Sequence, residues 1–349
     1  MSDPFSRAAL EASDPAGMLA DVLGQPHQYE DALWRVQSAG LEQRDLPGGL
    51  VVCGMGGSAI GGDLALAALG DRASRPIRTV RDYGLFSWAA ADTLVLCASY
   101  SGDTEETLAC FEAAGIAGAP RVALTTGGRL AEHAREEGVP VIGVPSGMRP
   151  RAAVAYMTVA AIECAALCGA ALPMHAELDA ASQALRELAE EWGPDSPPDS
   201  EAKRIAIGLQ GMLPVIHGAG STAAPARRWK TQLNENAERP AFVSLLPEAN
   251  HNELMGWKGD AAGPICGVFL EDADQHPRMG RRFELTASAL ESAGACTLRA
   301  RARGETRLAR VLSLVLLGDL VSIYLAVLEG VDPSATGAIE RFKVELDLA

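Results

Sequence analysis

Short apolar segments alternate with helical patterns along this chain. The segments 50–53, 93–98, 121–124 and 139–144 are mostly apolar and partly β-branched. Such segments are typical of strands that a parallel sheet buries on both faces. The stretches between the short segments, such as 152–167, repeat apolar residues at helical spacing. This alternation predicts an α/β fold built on a doubly wound parallel sheet.

The second half of the chain repeats this plan. A predicted strand over 214–217 leads through a turn containing Gly and Ser into a predicted helix over 223–234, much as residues 51–69 are arranged. Further strands are predicted at 241–245, 265–270 and 296–299. A segment rich in proline and polar residues separates the two halves. The sequence predicts two domains related by internal duplication: residues 1–192 with an N-terminal helical extension, a linker over 193–201, and residues 202–349 with a C-terminal helical tail.

One predicted helix, residues 309–328, is almost entirely apolar. It contains a single acidic residue, Asp319. We interpret this helix as part of the core, because a charge in its middle suits a buried helix better than a membrane span.

Composition and charge narrow the class of protein. The 349 residues are enough for two domains, and 45 acidic against 30 basic residues give a formal net charge of −15. Such an acidic chain does not suit nucleic-acid binding, which requires a basic surface. The N-terminus carries Asp3, Glu11 and Asp14 instead of a basic region followed by an apolar segment. We therefore expect a cytoplasmic protein without nucleic-acid or membrane partners.

The seven cysteines lie mostly in predicted strands and helices. We expect them to be buried thiols, because the cytosol disfavours disulfides and free cysteine packs as a small apolar residue. Cys164 and Cys168 share a predicted helical face, but no further His or Cys lies at the spacing of a zinc site. We predict no metal site.

The loop 99–107 predicts a binding site for an oxyanion. Ser99, Ser101, Thr104 and Thr107 supply four hydroxyls between a predicted strand and a predicted helix. Free N–H groups at a helix N-terminus and neighbouring hydroxyls favour a phosphate. The alternative is that Ser101 or Thr104 only caps the helix.

A glycine-rich turn, residues 54–63, lies between an earlier strand and helix. Gly54, Gly56 and Ala59 formally match the dinucleotide-binding fingerprint, with Asp82 as the ribose-binding acid. The second, hydroxyl-rich loop is not needed for a dinucleotide but suits a phosphomonoester. We therefore favour a sugar phosphate, with an NAD-dependent enzyme as an alternative.

These two loops together resemble the sugar isomerase (SIS) domain, a doubly wound, flavodoxin-like α/β module that binds phosphosugars. The blocks 233–237 (Leu-Asn-Glu-Asn-Ala) and 247–253 (Pro-Glu-Ala-Asn-His-Asn-Glu) resemble signature blocks of the bifunctional phosphoglucose/phosphomannose isomerases. The resemblance extends from about residue 20 to the C-terminus. It implies interconversion of glucose 6-phosphate and mannose 6-phosphate with fructose 6-phosphate through an enediolate, without metal or organic cofactor.

The resemblance also implies roles for individual residues. Glu235 is the expected base, His251 the ring-opening acid/base, donated to the neighbouring subunit of a homodimer, and Lys343 a second ring-opening group. Arg151, with Arg149 as a nearby competitor, stabilises the enediolate and helps to hold the phosphate. Thr336 leaves room for either epimer at C2. The expected phosphate-binding residues are Gly57, Ser58, Ser99, Ser101 and Thr104.

The sequence departs from the family pattern directly after Asn-Glu-Asn. The family usually has a lysine two residues further on, where this chain has Glu238 followed by Arg239. Either Arg239 supplies the missing positive charge or the base has a different pKa. The asparagines on both sides of Glu235 are expected to orient its carboxylate. The alternative function is a non-catalytic phosphosugar-binding regulator, since SIS modules also serve as ligand domains of regulators.

Overall fold

A five-stranded parallel sheet forms the centre of the first half of the chain. The computed structural model describes residues 4–258 and 263–347. The strands of the first sheet are β1 (Gly49–Cys53), β2 (Ile77–Val80), β3 (Thr93–Ala98), β4 (Arg121–Thr125) and β5 (Val141–Gly143). Their order is β2-β1-β3-β4-β5, which is the flavodoxin-like order.

A second parallel sheet has the same plan with one strand fewer. Its strands are β6 (Leu213–Gly218), β7 (Phe242–Leu245), β8 (Ile265–Glu271) and β9 (Cys296–Arg301), in the order β7-β6-β8-β9. This order repeats the first four positions of the first sheet. The predicted α/β class with two doubly wound parallel sheets is confirmed, and the repeated strand order is consistent with internal duplication.

Helices cover both faces of the sheets. In the first half they are α1 (Arg7–Ser13), α2 (Met18–Leu23), α3 (Gln25–Ser38), α4 (Gly56–Leu69), α5 (Glu105–Ile116), α6 (Gly128–Glu136), α7 (Val154–Leu167) and α8 (His175–Trp192). In the second half they are α9 (Glu201–Leu209), α10 (Ala223–Asn236), α11 (Arg278–Ser292), α12 (Arg307–Glu329) and α13 (Gly337–Asp347). Short 3₁₀ segments precede α7 (Pro150–Ala153) and follow β7 (Glu248–His251). The division into residues 1–192, 193–201 and 202–349 stays a prediction.

The largest hydrophobic cluster contains residues from both halves. Leu50 of the first sheet, Val268 of the second and Leu316 of α12 belong to this one cluster. Two segments, Pro150–Leu167 and Arg307–Glu329, are long and apolar enough to cross a membrane, but 89% of each tested window is buried inside the fold. The prediction that the apolar C-terminal helix belongs to the core is confirmed, and this helix ties the two halves together.

One expectation about the cysteines was wrong. Cys266 and Cys296 are opposite each other in the register of β8 and β9 and form a disulfide, with their Cα atoms 4.6 Å apart. We expected free thiols because the cytosol disfavours disulfides. That expectation overlooked a local signal, which is that both residues lie at the start of adjacent parallel strands. The other five cysteines are free and buried, as predicted.

Candidate active site

The hydroxyl-rich loop after β3 turns two side chains towards each other. The Oγ of Ser99 lies 2.8 Å from the Oγ1 of Thr104, and it accepts a hydrogen bond from the Gly102 N–H at 3.0 Å. Thr104 precedes α5, but its side chain makes no capping hydrogen bond. Capping therefore does not explain this threonine. Ser101 is exposed, and its Oγ accepts a hydrogen bond from the Asp103 N–H.

The shape of this loop requires glycine at position 102. Gly102 has a φ of +80°, and a Cβ there would lie 1.9 Å from the carbonyl oxygen of Gly127. The loop thus folds tightly against the turn that follows β4. Thr107, the fourth hydroxyl-bearing residue, lies inside α5 and is fully buried. Ser99 is also buried, at 1% exposed, but its hydroxyl bonds other groups of the loop. The Thr107 hydroxyl bonds no described residue, so it is not part of this loop network.

The glycine-rich turn lies beside this loop. Helix α4 begins at Gly56, earlier than the sequence suggested, so Gly57 and Ser58 belong to its first turn. The Ser58 Oγ accepts a hydrogen bond from the Tyr100 N–H at 3.3 Å, which connects the two loops. Two helix N-termini and several hydroxyls therefore meet at the carboxyl ends of β1 and β3. This arrangement suits a phosphate.

The absence of a side chain at Gly57 lets Arg151 lie next to the N-terminus of α4. A Cβ on Gly57 would lie 3.0 Å from the Cα of Arg151, a closer approach than nearly all real side chains make. Arg151 belongs to the 3₁₀ segment before α7 and is 2% exposed. Glycine at position 57 therefore allows the backbone of a buried arginine to pack against the first turn of α4.

The Arg151 guanidinium is held by the second half of the chain. Its Nε donates to the Asn236 Oδ1 at 2.5 Å, and its Nη2 donates to the Pro333 carbonyl oxygen at 2.6 Å and to that of Ala335 at 3.3 Å. Its Nη1 lies 3.5 Å from the Oε2 of Glu235. Burial lowers the pKa of Arg151, but the nearby carboxylate opposes that shift. A fixed positive charge therefore lies directly beside Glu235.

Glu235 lies in the last turn of α10, where 26% of its side-chain surface remains accessible. Burial raises its pKa above the ordinary glutamate value, and Arg151, Arg228 and Lys230 oppose this rise. A carboxylate with a raised pKa that still contacts solvent can accept and return a proton. Glu235 and Arg151 together thus supply a base next to a cation that can stabilise a developing oxyanion.

Comparison with known proteins agrees with this geometry. The chain is 35% identical over 337 residues to the bifunctional phosphoglucose/phosphomannose isomerase of Caldicellulosiruptor bescii, covering 94% of this chain and 98% of that protein. The corresponding enzyme of Aquifex aeolicus is 38% identical over 300 residues, covering 85% and 90%. The chain belongs to the bifunctional phosphoglucose/phosphomannose isomerase family. The resemblance noted in the sequence is confirmed.

Two further matches are consistent with membership of this family. Residues 198–346 match the family described as the bacterial phospho-glucose isomerase C-terminal SIS domain. The crystal structure of a hypothetical protein from Thermus thermophilus superposes with a TM-score of 0.72 at 17% identity, covering 98% of this chain and 92% of that one. At that identity the superposition supports the fold alone.

Asn234 and Asn236 flank Glu235, but they do not bind its carboxylate, contrary to the expectation from the sequence. Asn236 is fully buried and binds Arg151 through its oxygen and the Ser322 Oγ through its Nδ2, at 2.9 Å. The Nδ2 of Asn234 faces the carbonyl oxygen of Arg239 at 3.4 Å. Neither amide hydrogen-bonds the Glu235 carboxylate, so the expectation that they orient it was wrong. Asn236 orients the arginine instead.

Arg239 does not take the place of the family's usual lysine. Its Nη2 lies 2.6 Å from the Oε1 of Glu329 at the end of α12, and it is not among the charges that shift the Glu235 pKa. Glu238 is exposed, with a φ of +47°. The positive charges near Glu235 come from Arg151, Arg228 and Lys230. Sequence reasoning missed the last two, although both lie in the helix predicted over 223–234, directly before Glu235.

His251 and Lys343 lie apart from this cluster. His251 is exposed at the end of the 3₁₀ segment Glu248–His251, and Lys343 is exposed on α13. Within the described ranges, neither side chain forms a hydrogen bond or an ion pair. Thr336 is half-buried, and its Oγ1 donates to the Glu340 Oε1 at 2.5 Å. It directly follows Ala335, which contacts Arg151, so Thr336 lies near the cluster.

A buried ion pair between Arg228 and Asp319 lies next to Arg151. Arg228 and Asp319 are almost completely inaccessible, and the Arg228 Nε and Nη2 donate to the two Asp319 oxygens at 2.9 and 2.7 Å. The Arg228 Nη2 also donates to the carbonyl oxygen of Arg151 at 2.8 Å. Sequence reasoning treated Asp319 only as a sign of a buried helix. A lone acid in an apolar helix also signals a buried basic partner, because an unpaired buried charge is costly.

Proposed function

We propose that this protein interconverts glucose 6-phosphate and mannose 6-phosphate with fructose 6-phosphate. The single observation that carries the proposal is the contact between Glu235 and the buried guanidinium of Arg151, 3.5 Å apart, next to the glycine-rich turn. Aldose–ketose isomerisation moves a proton between C1 and C2 through an enediolate. It therefore requires a base beside a positive charge. The names of the relatives support the same reaction.

The substrate's phosphate would bind at the two loops. Ser99, Ser101 and Thr104 offer hydroxyls, Ser58 adds another, and Gly57 offers its backbone N–H in the first turn of α4. Backbone N–H groups at helix N-termini favour an anion even though the whole chain is acidic. The net charge of −15 makes these local donors more important, because the chain's overall field opposes an anionic substrate.

The sugar would extend from the phosphate towards Arg151 and Glu235. Glu235 takes the proton from C2 of the aldose and returns it to C1, and the hydroxyl proton on O2 passes to O1. Arg151 stabilises the negative charge that develops on the enediolate oxygens. Neither step needs a metal or an organic cofactor. Thr336, which follows the segment that contacts Arg151, would leave space for either epimer at C2.

Opening of the sugar ring requires an acid/base of its own. We assign this role to His251, with Lys343 assisting. Both side chains are exposed in the single chain and have no competing partner among the described residues, so each is available to a neighbouring subunit. This assignment implies a homodimer, in which His251 of one subunit acts in the site of the other. We place the enzyme in the cytoplasm.

The direct test is an assay of the purified protein with each aldose phosphate, in the presence of EDTA, with fructose 6-phosphate as the measured product. We expect turnover of both substrates. Glu235→Gln should lower kcat by roughly 10²-fold or more, because the amide cannot accept the proton. Glu238→Gln is the matched control, since Glu238 is an exposed acid three residues away, and it should retain full activity.

The competing function is a regulator that binds phosphosugars without converting them. It predicts that fructose 6-phosphate raises the melting temperature while no product forms from either aldose. If the wild-type chain binds but does not turn over, or if Glu235→Gln is as active as wild type, the proposed mechanism is wrong.

A further inference from the structure

We infer that Ser322 is a positioning residue for this site: it orients the Asn236 amide, and the amide holds the Arg151 guanidinium against Glu235. The inference rests on the proposed function and adds a residue on α12 to it. Ser322 and Asn236 are both fully buried. They are 86 residues apart in sequence, and the contact joins helices α10 and α12.

The direction of each hydrogen bond follows from the number of protons available. The Ser322 hydroxyl has one proton, which it donates to the backbone carbonyl oxygen of Asp319 at 2.7 Å. Towards Asn236, Ser322 can therefore only accept, and the Asn236 Nδ2 donates to it at 2.9 Å. The amide oxygen must then face the other way, where it accepts from the Arg151 Nε at 2.5 Å.

Loss of the Ser322 oxygen would remove the acceptor that fixes the orientation of the Asn236 amide. The Asn236 NH₂ group would lose its acceptor in a buried site, and a buried donor without a partner is unfavourable. If the amide turned over to find another acceptor, its NH₂ group would face the Arg151 Nε, and two donors would meet. Arg151 would remain tethered through Nη2 to the carbonyl groups of Pro333 and Ala335. Its Nη1 would no longer be held at a fixed position beside Glu235.

The expected effect is on the transition state more than on substrate binding. The Ser322 hydroxyl hydrogen-bonds Asn236 and Asp319 and no group of the loops that would hold the phosphate. Arg151, in contrast, would face the charge that develops on the enediolate. We expect Ser322→Ala to lower kcat roughly tenfold and to change KM less than about twofold, because misplacing an oxyanion-stabilising group lowers kcat.

Ser313→Ala is the matched control. Ser313 is also almost fully buried on α12, and it also donates to the carbonyl oxygen three residues earlier, that of Arg310, at 2.8 Å. It likewise accepts a second hydrogen bond, from the Arg303 N–H. A generic loss of helix stability would therefore affect both variants equally. Equal kcat values for the two variants at matched melting temperatures would overturn the inference.

A second background separates orientation from packing. In Asn236→Asp, either carboxylate oxygen can accept from Arg151, so no amide needs to be oriented. Adding Ser322→Ala to Asn236→Asp should then change kcat less than about twofold. A roughly tenfold loss in both backgrounds would mean that Ser322 acts through packing, which contradicts the inference.

A measurement that does not depend on turnover distinguishes this inference from the proposed function. The Arg151 Nε–H is buried and hydrogen-bonded, so its NMR signal, assigned with Arg151→Lys, should exchange slowly with solvent. Ser322→Ala should accelerate this exchange roughly tenfold or more, and Ser313→Ala should not. If the wild-type protein is inactive but shows this exchange pattern, the proposed function is refuted. The inference that Ser322 positions Arg151 would still stand. Unchanged exchange in Ser322→Ala would overturn the inference whether or not the protein is active.

Discussion

The Ser221 hydroxyl donates to the Asp272 Oδ2 at 2.7 Å, at the carboxyl edge of the second sheet. In the first sheet, the corresponding loops after β1 and β3 carry Ser58 and Ser99. In the second sheet, the loop after β8 begins with Asp272, and Arg310 of α12 donates to that carboxylate at 2.8 Å. In the second half, the hydroxyl in the corresponding loop is thus bonded to an internal carboxylate. The proposed phosphate site is therefore expected in the first half alone.

We therefore predict one phosphosugar per chain. Titration of fructose 6-phosphate into Glu235→Gln, which prevents turnover, should give one equivalent by calorimetry. Ser99→Ala should weaken binding roughly tenfold to a hundredfold, because a hydroxyl bonded to a charged group contributes about 1.5–3 kcal/mol. Ser221→Ala should leave the affinity unchanged. A stoichiometry of two, or equal effects of the two substitutions, would contradict a single site.

The pH dependence of kcat/KM should report the environment of Glu235. Burial raises the Glu235 pKa while Lys230, Arg151 and Arg228 oppose the rise. The base acts in its ionised form, so activity falls as the pH drops through this raised pKa. Lys230→Gln removes one of the opposing charges. The Glu235 pKa should rise further, and the acid limb of the profile should move to higher pH.

Arg239→Gln is the control for this prediction, because Arg239 pairs with Glu329 instead of acting on Glu235. The substrate phosphate also titrates, at about pH 6, but it does so equally with every variant. The comparison between variants therefore isolates the protein group. An acid limb that stays in place in Lys230→Gln, or that moves equally in Arg239→Gln, would argue against Glu235 as the titrating base.

The loops could be predicted from sequence because each is local. Ser99, Thr104 and Gly57 follow predicted strands within a few residues, and parallel strands bring their carboxyl ends to one edge of the sheet. The hydrogen-bond partners of Arg151 could not be predicted in this way. Its partners Asn236 and Pro333 are 85 and 182 residues away in the chain, and only the packing of α10 and α12 brings them together.

The buried pair of Arg228 and Asp319 should be important for stability. Asp319→Asn leaves a buried guanidinium without its anion, and breaking such a pair typically costs about 3–5 kcal/mol. The urea midpoint should fall accordingly. Asp195→Asn breaks the exposed pair with Arg7 and serves as the control, with little change expected. Similar midpoints for both variants would mean that the Arg228–Asp319 pair contributes no more than a surface ion pair.

The disulfide can be tested by counting thiols. The chain has seven cysteines, and five of them are free in the structure. Protein denatured without reductant should therefore release five thiols to a thiol reagent, and reduced protein should release seven. Cys296→Ser should release six without reductant, because Cys266 loses its partner. Seven thiols in the unreduced wild type would show that β8 and β9 are not cross-linked in solution.

The proposed exchange of His251 between subunits predicts complementation. A site that takes Glu235 from one chain and His251 from its partner is destroyed in either single variant, Glu235→Gln or His251→Ala. In a mixed dimer, one of the two sites receives both intact residues. Equal amounts of the two inactive variants, unfolded and refolded together, should recover about one quarter of wild-type activity, since half of the dimers are mixed and each has one working site.

Glu235→Gln mixed with a Glu235→Gln, His251→Ala double variant is the control and should stay inactive. If the first mixture also stays inactive while mixed dimers are detected by differential tagging, His251 does not act in the partner's site.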